Sequence, residues 1–223
     1  MSAVLNGVFI NGQWQAGHEV LEVINPATEA TLAHVSVGDA SAVELAVDAA
    51  SAAFVDWSKS SGRDRGALLR KVAQGVSEQR EQLMQLQSSN NGKPLFEASI
   101  DVDDVIATFE YYAGICDAMD AGQDCKVALP SDDFSARMRR EPCGVVGLIV
   151  PWNFPMVTTA WKLAPALAAG CCVVLKPSEV TPLAELQLAR IIAEAGFPAG
   201  VFNLVCGTGL AVGAPLAADL SLI

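Results

Sequence analysis

Three short clusters in this chain combine residue types that could do chemistry. Lys176, Ser178 and Glu179 bring a cation, a hydroxyl and a carboxylate together, a set suited to gripping the diol of a nucleotide ribose. A surface loop entering a helix would use the same residues, with Glu179 favouring the helix N-terminus electrostatically. Gly207-Thr208-Gly209 with Gly213 permits close backbone approach ahead of a helix, where a phosphate could rest, although the spacing is GxGxxxG and not the dinucleotide fingerprint GxGxxG. In Pro151-Trp152-Asn153-Phe154-Pro155 the prolines restrict the backbone around Asn153. Its amide could thereby be aimed at a developing oxyanion, or it could be a turn asparagine. Trp152, Phe154 and Trp161 could line an apolar pocket or belong to plain core.

The elements that must position these clusters follow from the hydrophobic pattern. From residue 145 the chain alternates strand and helix, each strand a short unbroken apolar run of the kind buried on both faces of a parallel sheet. The expected strands are 145–150, 172–175 and 201–205, with helices at 157–169 and 182–195. The second helix opens with Thr181-Pro182, a capping residue followed by proline at the first helical position. Each cluster follows one strand, and in a doubly wound sheet ligands bind beyond the carboxyl ends of the strands. All three should therefore line one crevice. After Gly209 a further helix leads into Leu220-Ser221-Leu222-Ile223, which reads as the beginning of another strand.

Upstream, Asn11-Gly12 between apolar residues predicts a hairpin over 8–14. Val43, Val47, Ala50, Phe54 and Trp57 recur at helical spacing after a candidate Asp39 cap. A second helix is expected over 63–88, ended by Asn90-Asn91-Gly92-Lys93-Pro94, and a third over 96–121 carrying Asp101, Asp103 and Asp104. Between 123 and 141 the helical period disappears around a Pro130-Ser131-Asp132-Asp133 turn, which predicts a protruding hairpin. Arg137, Arg139 and Arg140 on its second arm fit a solvated edge and a subunit contact equally. The division implied is 1–122 as the first part of a cofactor-binding domain, 123–141 as the hairpin, and 142–223 as the core.

Composition narrows the partners. A net charge of -11 argues against the basic surface that nucleic acid requires. The uncharged runs 142–161 and 195–218 are broken by prolines and glycines and do not read as membrane spans. No Lys or Arg precedes Trp14, so no secretory or transit signal is expected and a cytoplasmic location follows. The 6 cysteines show no CxxC spacing, which favours buried reduced thiols over a disulfide framework or zinc site, and no metal is expected.

Taken in order, Pro151-Trp152-Asn153-Phe154-Pro155, Trp161-Lys162, Ala164 to Gly170 and Val174-Leu175-Lys176-Pro177-Ser178-Glu179 closely resemble the aldehyde dehydrogenase superfamily. Asn25-Pro26-Ala27-Thr28, Asn91-Gly92-Lys93-Pro94, Tyr111-Tyr112-Ala113-Gly114 and Glu141 to Val145 extend the likeness over nearly the whole chain. The resemblance implies an α/β fold: a Rossmann-like parallel sheet with flanking helices, an N-terminal hairpin and an oligomerisation hairpin, incomplete relative to the family. It assigns Asn153 to oxyanion stabilisation and Lys162 to a supporting catalytic role. Ile149, Val150, Pro151 and Trp152 match cofactor-contacting positions. Lys176 and Glu179, with Pro177 and Ser178 between them, match the segment holding the adenosine ribose, and Gly209, with Gly213 beyond it, matches the adenine side. A carboxylate at Glu179 would repel a 2′-phosphate, so NAD is expected over NADP.

Asp101, Asp104, Phe154 and Trp161 look like the betaine-aldehyde and aminoaldehyde branch, where acids and aromatic faces receive a cationic substrate end. A solvated helix face would use the same aspartates. The family's Gly-Ser motif, glutamate base and nucleophilic cysteine have no counterpart in this sequence, so the chain alone is expected to be inactive towards aldehydes. Asn90 stands where many members have aspartate near a monovalent-cation site. The resemblance further implies a homo-oligomer, dimer or tetramer, for an intact parent. The alternatives are a truncated, non-catalytic protein that binds nucleotide or a related subunit, and a structural remnant without ligand.

Overall fold

Three short strands, Val4–Asn6 (β1), Val8–Ile10 (β2) and Gln13–Gln15 (β3), open the chain in a computed structural model that describes residues 4–219, 221 and 222. Asn11 and Gly12 turn between β2 and β3 at φ 52° and 77°, the left-handed pair a two-residue hairpin requires. Glu19–Ile24 (β4) and Thr31–Val37 (β5) then pair antiparallel, and β1 joins β5 in parallel to complete a small sheet. These two strands are not anticipated from the sequence, because only Val23 in β4 is buried and no clean alternation results.

Ala40–Trp57 (α1) is capped by Asp39, whose carboxylate accepts from the backbone N–H groups of Ser41 and Ala42, a feature worth about 1 kcal/mol. The helix expected over 63–88 is two helices, Gly62–Glu78 (α2) and Arg80–Asn91 (α3). The break is at Gln79, with φ −104° and ψ 15°, and its Oε1 accepts from Gln187 Nε2 at 2.6 Å. Periodicity alone misses it because no Gly or Pro marks the spot. Gly92, at φ 84°, ends α3, and a Cβ there would stand 2.9 Å from Pro26 Cγ. Leu95–Met119 (α4) follows, then a ribbon of Cys125–Val127 (β6) and Ala136–Met138 (β7).

The remaining strands and helices alternate: Val145–Ile149 (β8), Pro155–Ala169 (α5), Cys172–Lys176 (β9), Leu183–Ala195 (α6) and Phe202–Val205 (β10). A wide π-type turn over Gly209–Gly213 precedes Ala214–Ala218 (α7). β8, β9 and β10 run parallel, in register Val145↔Cys172 and Phe202↔Val173. α5 packs on β8 and β9 with α6 beside it, and α1 packs on β8, β9 and β10 with α7 beside it. β9 and β10 are consequently buried throughout, which explains their unbroken apolar runs.

Two expectations about this core change. The sheet is mixed, in order β3-β2-β10-β9-β8, because the N-terminal ribbon adds antiparallel to β10 through Leu204↔Phe9. Leu222 bridges Val145 in parallel beside β8, while Leu220 and Ile223 of the expected further strand lie outside the described residues. Thr181 does not cap α6 either. Pro182 holds the cap position, and the Leu183 N–H donates instead to Asn90 Oδ1 at 3.2 Å. A side chain 93 residues away in sequence thus satisfies an orphan donor of this helix.

The cysteines also divide. Cys116, Cys171, Cys172 and Cys206 are buried, but Cys125 on the ribbon and Cys143 ahead of β8 are exposed, contrary to the expectation of uniformly buried thiols. Among the described residues no group of three or more His, Cys, Asp and Glu could hold a metal ion, and no helix is long and apolar enough to cross a membrane.

Candidate functional site

The carboxyl ends of β8, β9 and β10 carry the sequence clusters to neighbouring positions. Lys176 is the last residue of β9, and its side chain, 4% exposed, reaches forward to the Pro177 carbonyl at 2.8 Å and to Glu179 Oε2 at 3.0 Å. Glu179, in contrast, has a side chain 34% exposed. Its other oxygen accepts weakly from the Gly209 N–H at 3.4 Å, which links the turn after β9 to the turn after β10. Burial alone would raise the Glu179 carboxyl. Hydrogen bonds from its own backbone N–H, from Lys176 and from Gly209, with the Lys176 charge, outweigh that and hold it below its ordinary range. The group is a carboxylate with a cation fixed behind it and acceptor capacity left towards solvent.

Ser178 is buried with Pro177, and its Oγ accepts from the Val180 N–H at 3.3 Å, so it shapes the turn. Gly213 packs on Lys176, where a Cβ would meet Cδ at 3.5 Å, an ordinary contact, whereas Gly209 faces open space.

After β8 the ladder extends one bond further, from the Val150 N–H to the Lys176 carbonyl at 3.2 Å. Ile149 pairs with Lys176 in register and is exposed, as are Pro151, Trp152, Asn153 and Phe154. This turn is held from outside. Asn91 Nδ2 donates to the Trp152 carbonyl at 2.7 Å and to the Asn153 carbonyl at 3.4 Å, and Thr181 Oγ1 donates to the Trp152 carbonyl at 3.2 Å. Asn91 and Thr181 are positioning residues that sequence reasoning passes over. The backbone of Asn153 is fixed by them, while its side-chain amide has no partner among the described residues and faces solvent. Lys162 Nζ donates to the Ile149 carbonyl at 2.7 Å, tying α5 to the end of β8.

Asp104 and Trp161 line a groove of about 360 Å³ with Thr108, Tyr111 and Tyr112, whose two rings meet edge to face at 5.2 Å. One carboxylate and three aromatic rings suit a small cation. Asp101, expected beside Asp104, is elsewhere. Its carboxylate is buried in an ion pair with Lys93 and accepts from Gln87 Nε2 at 2.7 Å. The helical stripe of α4 explains this, because Ala98, Asp101, Val102 and Val105 share the buried face while Asp104 points outward. Phe154 does not line the groove either. Lys93 Nζ lies 4.3 Å from its ring centroid, so an internal cation already occupies one face. Asp103 is taken up by Arg80 in a bidentate pair at 2.7 and 2.8 Å.

Comparison with known proteins identifies the family. The pattern defining the aldehyde dehydrogenase family matches residues 14–222. The chain is 46% identical over 217 residues to the peroxisomal aminoaldehyde dehydrogenase 2 of Pisum sativum, covering 94% of this chain and 43% of that protein. It is 45% identical over 218 residues to betaine aldehyde dehydrogenase 1 of Oryza sativa subsp. japonica, covering 95% of this chain and 43% of that protein. Among solved structures, a betaine aldehyde dehydrogenase point mutant of Staphylococcus aureus in complex with NAD+ superposes with TM-score 0.93 at 35% identity, over 98% of this chain and 45% of that one. The chain spans less than half the length of these relatives.

Proposed function

The chain belongs to the aldehyde dehydrogenase family, and from that premise we propose that it forms the cofactor-binding part of an NAD-dependent oxidation of an aldehyde to a carboxylic acid. The observation that carries this reading is the half-open Glu179 carboxylate, fixed by Lys176 and Gly209 and still able to accept from a pair of ribose hydroxyls. When bound, NAD would supply the hydride acceptor. Lys176 and Glu179 would hold its ribose, and Val150, Pro151, Trp152 and Gly209 would supply further cofactor contacts. A 2′-phosphate brought against Glu179 would meet a charge of its own sign, so NAD is preferred to NADP. Asn153, its amide unpartnered, stabilises the oxyanion that develops on the aldehyde oxygen. Lys162 supports the catalytic turn by fixing the end of β8.

The preferred substrate in this reading is an aldehyde with a cationic end, betaine aldehyde or an aminoaldehyde, received by Asp104, Trp161, Tyr111 and Tyr112. The names of the relatives support that class. Residues 123–141 would serve as an oligomerisation hairpin, and the cytoplasm as the location. The described thiols offer no nucleophile for the crevice: Cys143 and Cys171 precede their strands, Cys125 is on the ribbon, Cys116 in α4 and Cys172 at the start of β9 are buried, and Cys206, after β10, is 1% exposed with its thiol pushed up by burial. Aldehyde oxidation by these 223 residues alone is therefore not expected, with or without NAD.

Calorimetric titration of this chain with NAD and with NADP tests the reading. NAD should bind more tightly, and Glu179→Ala should weaken NAD about tenfold while narrowing the preference. Tighter binding of NADP, or a ratio unchanged by the substitution, would overturn it.

A further inference from the structure

At the amino ends of the same strands, away from the crevice, two thiols face each other. Cys143 Sγ stands 3.5 Å from Cys171 Sγ. We propose that Cys143 and Cys171 are a redox site, which a hydroperoxide oxidises to an intramolecular disulfide joining the starts of β8 and β9.

The backbone already brings the two residues into bonding range. The β8–β9 ladder begins at Val145↔Cys172, and the Cys172 N–H donates to the Gly144 carbonyl at 3.2 Å, so the segments ending in Cys143 and Cys171 lie side by side. In this register Gly144 stands opposite Cys171 and Cys143 lies one residue further along; a strand spacing of about 4.8 Å with a rise of about 3.3 Å per residue makes that diagonal about 5.8 Å, inside the roughly 4.4–6.8 Å Cα separation that disulfides take. Closing the sulfurs from 3.5 Å to a bond of about 2.05 Å needs a side-chain rotation and no strand movement.

The two thiols are unequal in a way that assigns their roles. Cys143 is exposed and meets an oxidant first. Cys171 is 2% exposed and fixed: its N–H donates to the Ala166 carbonyl at 3.0 Å, and its carbonyl accepts from Trp57 Nε1 at 3.1 Å. Burial pushes the Cys171 thiol up, the contact with Cys143 adds to this, and the backbone N–H groups of Cys143 and Gly144 act against it. Cys171 therefore keeps its proton until the second step.

In the first step the Cys143 thiolate attacks the outer oxygen of the hydroperoxide. The S–O bond forms, the O–O bond breaks, and the leaving alkoxide, or hydroxide from hydrogen peroxide, takes a proton. In the second, Cys171 sulfur attacks the sulfenic sulfur. The S–S bond forms, the S–O bond breaks, and hydroxide departs with the Cys171 proton as water. Two thiols lose two electrons and the peroxide gains them. An external thiol reverses the process.

The test is hydrogen peroxide treatment of the whole chain, followed by alkylation and peptide mapping. Free thiols should fall by two from 6, with a peptide linking Cys143 to Cys171 that dithiothreitol dissolves. In Cys171→Ser, Cys143 should stop at sulfenic acid, trapped by dimedone. In Cys143→Ser, thiol loss should slow more than about tenfold. Should either variant misfold, the linked peptide of the unaltered chain decides alone. Thiol loss spread evenly over Cys125 and Cys143 without that peptide, or a Cys143 link between two chains, would overturn the proposal.

Discussion

Lys93 and Lys176 both lie in the interior with a carboxylate in reach, but Asp101 shares that burial and Glu179 does not. The Lys93–Asp101 pair is 7% exposed on both sides, and its remaining capacity goes to Gln87 and the Phe154 ring. The Lys176–Glu179 pair is 4% and 34% exposed, and Glu179 turns towards solvent. Such closed pairs spend their hydrogen bonds inside, where breaking one leaves a desolvated charge. A half-open pair has the opposite economy: its cation is desolvated, its anion is held, and what remains is offered to a ligand. The difference separates structure from binding more sharply than residue type does, since each pair is one lysine and one carboxylate a few residues apart in sequence.

The largest expected effect breaks the closed pair. Asp101→Ala should cost about 3–5 kcal/mol in chemical denaturation, because Lys93 is left buried without a counter-charge. Replacing both together, as Lys93→Met with Asp101→Leu, should recover much of that loss. A loss below about 1 kcal/mol for Asp101→Ala would class the pair with surface bridges.

Glu185 sharpens the contrast, because it is an acid buried in α6 with no paired cation and no hydrogen-bond partner for either oxygen among the described residues. Burial pushes its carboxyl from 4.5 up to about 8. The folded chain therefore holds a proton that the unfolded chain gives up above pH 4.5, so stability should fall as pH rises from 4.5 towards 8. Glu185→Gln should remove that slope and stabilise the chain at pH 7 by about 1–3 kcal/mol. Denaturation midpoints of both chains across this range measure it, and identical slopes would show that Glu185 does not carry the proton.

For the half-open pair, Glu179→Ala should cost less stability than Asp101→Ala, because Lys176 keeps the Pro177 carbonyl and gains solvent where the exposed carboxylate stood, while weakening NAD about tenfold. Its carboxyl is held low, so the small contribution is present above the ordinary carboxylate range and is lost as pH falls. Equal damage to folding and binding would erase the distinction between the pairs. The smallest effect is expected from Phe154→Leu, which keeps apolar bulk and removes the ring beneath Lys93, costing about 0.5–1 kcal/mol by thermal melting.

Local chemistry made much of this legible. Asn11-Gly12, the Asp39 cap and the apolar runs of β9 and β10 each carry their cause within a few residues, whereas β8, expected to be buried alike, has Val146 and Gly147 half-buried and Ile149 exposed; Lys176-Pro177-Ser178-Glu179 follows its strand in plain view. What stayed hidden depends on distant partners. Asn90 capping α6, Asn91 holding the Trp152 carbonyl and Gln187 meeting Gln79 at the α2–α3 break are all tertiary hydrogen bonds with no local signature. Asp101 is an intermediate case. Its place on the stripe of Ala98, Val102 and Val105 was readable from period 3.6, but the compensating Lys93 was not, because it lies beyond the turn that ends α3.

The ribbon at the start of the chain also sets a timetable. β2 pairs on one side with β3 and on the other with the distant β10, and the Asn11 N–H donates to Asn203 Oδ1 across 192 residues of sequence. Ribosomes add about 5–20 residues per second, so roughly 10–40 s separate the synthesis of these two residues. Throughout that interval Val8, Phe9 and Ile10, each buried in the finished fold, can pair with β3 but not yet with β10. The first hairpin to be made is thus among the last elements to be seated, and it closes over a sheet whose other strands have already met.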